Sequence, residues 1–592
     1  MDTQITSPEN NNILQINRTS TLINKKFMQS LLPSLSSKLC LVIAMLIDSI
    51  IGSRFIGPEG MAAVKLFMPI AMADELIHSV FGSAIGIIYP RICGQNEKAK
   101  ANRAYTSIIG TTLMAYLVVC GLVLLFSHDY IAFYADKPEF YQLGLDYLIP
   151  MVIALPFFEM GLLTERVFMT DGRIFFFSLR GIITILLNIL FDLLFVAHWS
   201  LGTQGLALAT ILSTSMGYML TLSHAFHPKN TVKLSFDIFR NKKEWWDNFK
   251  EELQIGSNYA LSGIMSVVFS AILNKQVIEL GGTMALFALS LLCNISNTVG
   301  SLSFSISNAL ILLGGILYGE KDYEGTNIVF KTACKIAIIL GIFFTILAIG
   351  FAHPYIKICN VTDPATYSLC LSAICIGSLD FALYTLRRVC MQYMIILKNY
   401  SIYRFMCITD YICRIGFILI FNFLGTTAIW LIHFFSNCVL LISVLLLMKI
   451  RKQSFILKPS NSTIITFSAP LNNSTIGKLS VKAGQVVSER HHSYKLVNRL
   501  SLMIEEALTY ILRKNPEDKK IHTDLRISAT DKTIHISIYD DGIICNPMTN
   551  LLQKNTIDKN DLELILLKGF SSKFTYNRIA ELNFTRIDIT KT

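Results

Sequence analysis

Apolar runs long enough to cross a bilayer set the architecture of this chain. A helix rises about 1.5 Å per residue and the hydrocarbon core is about 30 Å thick, so a crossing needs roughly 20 residues. Such runs fall at about 33–55, 62–90, 104–127, 142–170, 176–198, 203–226, 254–278, 285–317, 329–352, 366–396, 402–424 and 426–449. In hydrocarbon every backbone polar group must be satisfied internally, which predicts an all-α polytopic membrane protein of twelve helices. Composition agrees: 52% of the 592 residues are apolar and 16% charged, against about a quarter charged in soluble chains.

The net charge of +11 could point to nucleic acid, but the cations sit in alternate loops. Arg91, Lys98, Lys100 and Arg103 follow the second run, and Lys229, Lys233, Arg240, Lys242, Lys243 and Lys250 the sixth. The opposite loops hold little beyond Arg54, Lys137 and Lys357. The positive-inside rule then puts both termini in the cytoplasm of a multi-pass protein of the plasma or inner membrane, in contact with lipid and not nucleic acid. Thirteen Cys are scattered without a CxxC pair or a Cys/His cluster, so neither a disulfide framework nor a metal site is expected. Residues 1–30 are read as a flexible cytoplasmic tail.

The membrane part is doubled. Gly94 and Asn102 of CGQNEKAKANRAY return as Gly319 and Asn327 of YGEKDYEGTNIVF, about 225 residues later. Gly57 of FIGPEGMAAV matches Gly281 of ELGGTMALFA, and Thr164 and Arg166 match Thr385 and Arg387. Two six-helix lobes, 31–226 and 254–450, are therefore parallel repeats about an axis along the membrane normal. Between them, 227–253, with Trp245, Trp246 and Phe249 beside Lys residues, reads as an amphipathic helix on the membrane surface.

An ionisable group inside a span costs about 3 kcal/mol or more and needs a reason. Asp48 is the one carboxylate of the first run. Asn188 and Asp192 in LLNILFDLLFV are i and i+4, so they share a helix face. A carboxylate beside an amide in an apolar bundle can take up H⁺ or coordinate Na⁺ through oxygen; it can equally just bond a neighbouring helix. Asp74 and His78 are also i,i+4, suited to a wet cavity, a proton relay or a plain ion pair. Glu159 and Glu165 are placed to pair with Arg166, unless Arg166 snorkels to the interface. Asp380 and, less clearly, Asp410 are the acids of the second lobe, whose eleventh run lacks an N-x-x-x-D.

Over about 30–450 the chain resembles the multidrug and toxic compound extrusion (MATE) transporters. The resemblance rests on the paired lobes, Ile47, Asp48 and Gly52 of the first span, the loops at Gly94 and Gly319, Asn188 and Asp192, and Gly202, Gly205 and Thr210 in LGTQGLALAT. It implies a secondary antiporter, not an enzyme. Asp48, Asn188, Asp192 and Thr210 would gather as the cation-coupling site, with H⁺ or Na⁺ as coupling ion and no cofactor required. The cargo would be a small organic, cationic molecule moved by alternating access. A membrane sensor that no longer transports, and a flippase for a lipid-linked substrate, are the rival readings.

After a linker at 451–469, residues 470–592 alternate short strand patterns with one helical run, the signature of a small α+β domain. This part resembles the ATP-binding domain of histidine kinases and anti-sigma factor kinases, through LSLMIEEALTYIL and IYDDGIICNP. The resemblance implies Glu506 as the catalytic-type acid, Asp540 or Asp541 as the adenine-binding acid, and Gly542, Asn546 and Pro547 as the rest of that box. Tyr510 stands where the Mg²⁺-holding Asn would be, and DLELILLKG offers only Gly569 for the phosphate-cradling lid. His491 and His492 are not in a phosphoacceptor helix. ATP binding is left open, and a regulatory domain that captures a cytoplasmic protein is expected.

Overall fold

The computed structural model describes residues 18–590 apart from 135–137, 173, 226–231, 360, 362, 458–462, 489–493, 517–519, 530–532, 545, 547–566, 568, 570 and 581. The expectations for Pro547, His491, His492 and most of DLELILLKG lie outside the described residues. The chain forms two compact units.

The membrane unit comprises Ser30–Asp322 and Val329–Ile456. Its helices are α1 (Thr21–Phe55, whose first turns belong to the other unit), α2 (Gly57–Lys65), α3 (Met68–Ile77), α4 (Ile85–Gly94), α5 (Lys98–Leu125), α6 (Ser127–Tyr134), α7 (Pro138–Thr170), α8 (Ile174–Asp192) and α9 (Gly202–Ala225). The second half holds α10 (Lys242–Gly319), α11 (Tyr323–Ile358), α12 (Pro364–Gly377), α13 (Phe381–Ile396), α14 (Tyr400–Phe421), α15 (Thr426–Ile429) and α16 (Ile432–Ile450). Among the described residues nine helices are long and apolar enough to cross a membrane, not twelve. One of the nine, α10, breaks at Gly282 (φ 66°, ψ −161°) and so covers two of the expected runs. The helices at Thr21–Phe55 and Gly202–Ala225 are not among the nine.

The duplication shows in the backbone. Positive φ recurs in matched pairs: Gly57 and Gly282, Asn96 and Lys321, Gly172 and Lys398, Gly202 and Gly425. The left-handed turn of the second repeat is made by Gly282, one residue past the Gly281 expected from alignment. Only glycine adopts that conformation without Cβ strain, and two adjacent glycines leave the register open in the sequence. The halves differ in one respect. Wide π-turns occur at His78–Gly82 and Leu193–His198 in the first half; near the position matching the second of these the second half has a tight turn at Asn422–Leu424, and at that matching the first it runs as regular helix within α10.

The described part of 227–253, residues 232–253, does not form a separate surface helix. A short turn at Phe236–Phe239 leads to Asn241, whose side chain accepts from Glu244 N (3.3 Å), and α10 then runs unbroken into the span. No Gly or Pro interrupts 242–255, so nothing stops the helix. Its acids meet the basic loops: Glu244 binds Arg103 (2.8 Å), and Glu251 binds Arg91 and Lys398 (2.7 Å each).

The soluble unit comprises residues up to Gln29, Tyr323–Ile328 and Leu457–Thr592. Five antiparallel strands, β1 (Thr463–Pro470), β2 (His522–Ala529), β3 (Thr533–Asp540), β4 (Lys573–Ile579) and β5 (Leu582–Thr590), lie in the order β1-β2-β3-β5-β4. The expected linker at 451–469 thus contains most of an edge strand, with Phe467 opposite Leu525. Helices α17 (Asn473–Ser488) and α18 (Tyr494–Lys514) belong to the same core. Leu500, Ile504, Leu508 and Ile511 form one helical face of α18, and alternate residues Ile534, Ile536 and Ile538 the inner face of β3. The tail expected over 1–30 is helical from Thr21: Leu22, Lys26 and Phe27 are buried, and Lys25 Nζ lies 2.6 Å from Asp541 Oδ2. An i,i+4 apolar pairing such as Ile23 with Phe27 needs a surface to cover, and none is visible in the tail itself.

Candidate functional site

A cavity of about 410 Å³ lies inside the membrane unit. Asp48 on α1, Asn188 on α8 and Thr210 on α9 line it. Asp192, fully buried, stands behind them with its carboxyl within hydrogen-bonding reach of Asp48. All four residues singled out for coupling are thus in one neighbourhood. Thr210 spends its hydroxyl on Leu206 O (3.1 Å). Asp48 Oδ1, both oxygens of Asp192 and the Asn188 amide nitrogen are buried with no hydrogen-bond partner. Two acceptor-only carboxylates can face each other at that range only with a proton or a cation between them. Oxygen ligands left unsatisfied in a dry bundle are the donor set a proton or a hard cation takes. The π-turn that starts immediately after Asp192, closed by Trp199 N to Leu194 O (2.9 Å), inserts one residue and turns the rest of the helix.

The expected Asp74–His78 pair does not form. His78 N still donates to Asp74 O, so the two residues stay one helical turn apart, but their side chains take other partners. Asp74 instead accepts from Tyr116 (2.7 Å), and His78 joins Glu159 (Nδ1 to Oε1, 2.8 Å) to Arg166 (Nη2 to Nε2, 3.2 Å). With Arg166 donating to Nε2, the neutral imidazole carries its proton on Nδ1 and donates to Glu159. Arg166 lines the cavity, so it neither snorkels to an interface nor pairs with Glu165, which binds Arg180 (2.6 Å). In the second half, Asp380 accepts from Asn437 (2.6 Å), and Asp410 is paired with Arg387 and Arg414. Neither acid lines the cavity.

Sequence reasoning weighed Arg166 only as an ion-pair or snorkelling residue and did not single out the other basic residues of the cavity. Lys38 and Arg180 line it with Arg166, and Phe304 from α10 carries Lys38 Nζ (5.5 Å) and Arg388 Cζ (5.0 Å) near its ring. The available signal was a lysine inside the first apolar run.

In the soluble unit the expected nucleotide residues are engaged in a turn. Asp540 accepts from Gly542 N (2.9 Å) and Asn583 Nδ2 (2.7 Å), and Asp541 from His522 N (2.8 Å) and Lys25. Burial pushes Asp540 up to about 6. Burial acts the same way on Asp541, but the Lys25 ammonium and the His522 N–H outweigh it and hold that carboxyl below its usual value. Tyr510 is 1% exposed and fills the core under the sheet, and Glu506 is half-buried on the same helix.

The MatE family model matches residues 33–194 and 259–394, half of the chain. The multidrug export protein MepA of Staphylococcus aureus strain N315 is 22% identical over 220 residues, 37% of this chain and 48% of MepA. The chain therefore matches about half the length of that relative. Among solved structures, a MOP-superfamily transporter from Pyrococcus furiosus aligns with TM-score 0.63 at 20% identity, over 72% of this chain and 95% of that one. An outward-facing multidrug resistance MATE transporter aligns with TM-score 0.65 at 19% identity, over 72% and 95%. The likeness to these structures is one of fold.

Proposed function

The chain belongs to the MatE family of membrane transporters, and on that premise we propose that it is a secondary antiporter exporting small organic molecules in exchange for H⁺ or Na⁺. It is a transporter, not an enzyme. The observation that carries the coupling role is the group of Asp48, Asn188 and Asp192, in which Asp48 Oδ1, both Asp192 oxygens and the Asn188 amide nitrogen are buried without a hydrogen-bond partner. A cation bound there favours one arrangement of α1 and α8 over another, which is the differential affinity that alternating access requires. Organic cations are the cargo suggested by counting acids in the spans. The charges that face the cavity bear on its chemical class more directly.

Close packing between the halves supports the rocking of two lobes. At one end of the unit α4 and the end of α10 cross so tightly that Gly94 and Gly319 leave no room for a side chain. We read this crossing as the cytoplasmic gate, closed here, because the basic loops follow both helices. The soluble unit has a regulatory part in this reading: the carboxylates that would recognise adenine are committed to Asn583, Gly542, His522 and Lys25.

Gradient-driven movement of a fluorescent organic solute in proteoliposomes tests the proposal, with H⁺ and Na⁺ gradients imposed separately. Asp48→Asn and Asp192→Asn should each abolish the gradient-driven component while the protein still melts cooperatively. Movement that persists in both variants would remove these residues from coupling. The absence of movement in wild-type protein under either gradient would favour the sensor.

A further inference from the structure

The cavity is polarised. Lys38 and Asp48 both line it from α1, and ten residues of helix separate them by about 15 Å. Asp48 and Asn188 hold one end. The other end is basic. Arg166 Nη1 lies 3.4 Å from the position a Cβ on Gly86 would take, and a Cβ on Gly181, next to Arg180, would lie 3.2 Å from Ser37 Oγ, next to Lys38. Three cations, Lys38, Arg166 and Arg180, therefore share that end with one lining carboxylate, Glu165, which Arg180 already binds. Arg388, outside the lining, stacks on the Phe304 ring (5.0 Å). Among the described residues neither Lys38 nor Arg166 has a carboxylate within ion-pair distance; Arg166 meets only the imidazole of His78. Glu159 is screened behind that imidazole, and Glu75 is outside the lining.

An excess of cations in a low-dielectric space is unfavourable until an anion joins them. The rest of the wall is apolar: Leu162, Met169, Ile185, Ile311, Leu312 and the Phe304 ring. At about 410 Å³ the space falls within the range of about 300–1,000 Å³ that drug-sized ligands occupy. We propose that the cargo is an amphipathic organic anion, its carboxylate or sulfonate seated between Lys38 and Arg166 and its apolar body on Phe304 and the aliphatic wall. This inference rests on the transporter reading and names its substrate class. The acids at the far end are then left to the coupling ion, so cargo and ion do not compete for one carboxylate.

The test is equilibrium binding of two dyes of similar size, anionic 5-carboxyfluorescein and cationic ethidium, to the full chain in nanodiscs, read by fluorescence polarisation. 5-Carboxyfluorescein should bind in preference to ethidium. Lys38→Met and Arg166→Met should each weaken it by about tenfold, the loss of one charge-assisted hydrogen bond. Lys38→Arg, which keeps the charge, should stay near wild type, and its melting temperature controls for folding. Preference for ethidium, binding of neither dye, or methionine variants within twofold of wild type overturns the proposal. Anion binding without movement under any gradient leaves the anion seat standing and sinks the transporter reading. Gradient-driven ethidium movement without anion binding does the reverse.

Discussion

Replacing Gly94 or Gly319 with alanine should loosen one end of the membrane unit and leave the rest intact. A Cβ on Gly94 would lie 2.8 Å from the carbonyl carbon of Ile316 and 3.1 Å from its Cα; a Cβ on Gly319 would lie 2.8 Å and 3.1 Å from the same atoms of Arg91. Ordinary carbon contacts are at about 3.5–4.0 Å, so the two helices must part by about 1 Å. The obstacle is backbone on both sides, so no rotamer change relieves it. Forcing such a contact costs about 1–3 kcal/mol, which shifts an equilibrium between the packed and parted arrangements by roughly 5- to 150-fold. Hydrogen-exchange mass spectrometry reads this directly. Amides around Ile92–Asn96 and Leu317–Asp322 should exchange faster by that factor in either variant, while those of β3 stay as in wild type. The double variant should gain less than the product of the two, because once the helices have parted the second methyl meets no new obstacle. Wild-type protection at both sites in G94A and G319A would refute the argument that this crossing needs glycine.

Two further outcomes follow from buried carboxylates. Asp410→Asn strands Arg387 and Arg414, both largely buried, and should lower the stability of the membrane unit by about 3–5 kcal/mol in a thermal melt; an unchanged melt would mean those guanidiniums find other acceptors. In the soluble unit, burial raises Asp540 from 3.8 to about 6. The folded chain then holds a proton that the unfolded chain has released, so stability falls as pH rises from about 4 to about 6, by about 3 kcal/mol in total. Asp541 runs the other way, and its contribution is lost as pH falls below the usual carboxylate range. Asp540→Asn keeps an oxygen for Gly542 N and Asn583 and should flatten the slope between pH 4 and 6, measured by exchange at β3 across that range; an unaltered slope would assign the effect to another group.

Asp48, Asn188 and Asp192 stood out because an acid inside an apolar run is conspicuous and because i,i+4 spacing puts two side chains on one helix face; Thr210 came from the family resemblance alone. Asp74 and His78 obey the same spacing and do not pair, since Tyr116 and Glu159 from neighbouring helices take their side chains instead. Tyr510 was singled out in the sequence as a departure from the nucleotide-binding pattern; the packing shows it as part of the core. Arg18–Gln29 looked featureless by composition. Their buried face becomes apparent once the sheet they cover exists.

Local rules determined the membrane class, the doubling and the sheet-forming runs of this protein, because hydrophobic length, repeat spacing and two-residue alternation are properties of neighbouring residues. Which charges share a cavity was decided by tertiary structure alone. Lys38, Arg166 and Arg180 are far apart in sequence and come together through the packing of α1, α7 and α8. The sign of a binding site is a sum over groups brought into one low-dielectric space, and no count along the chain contains that sum.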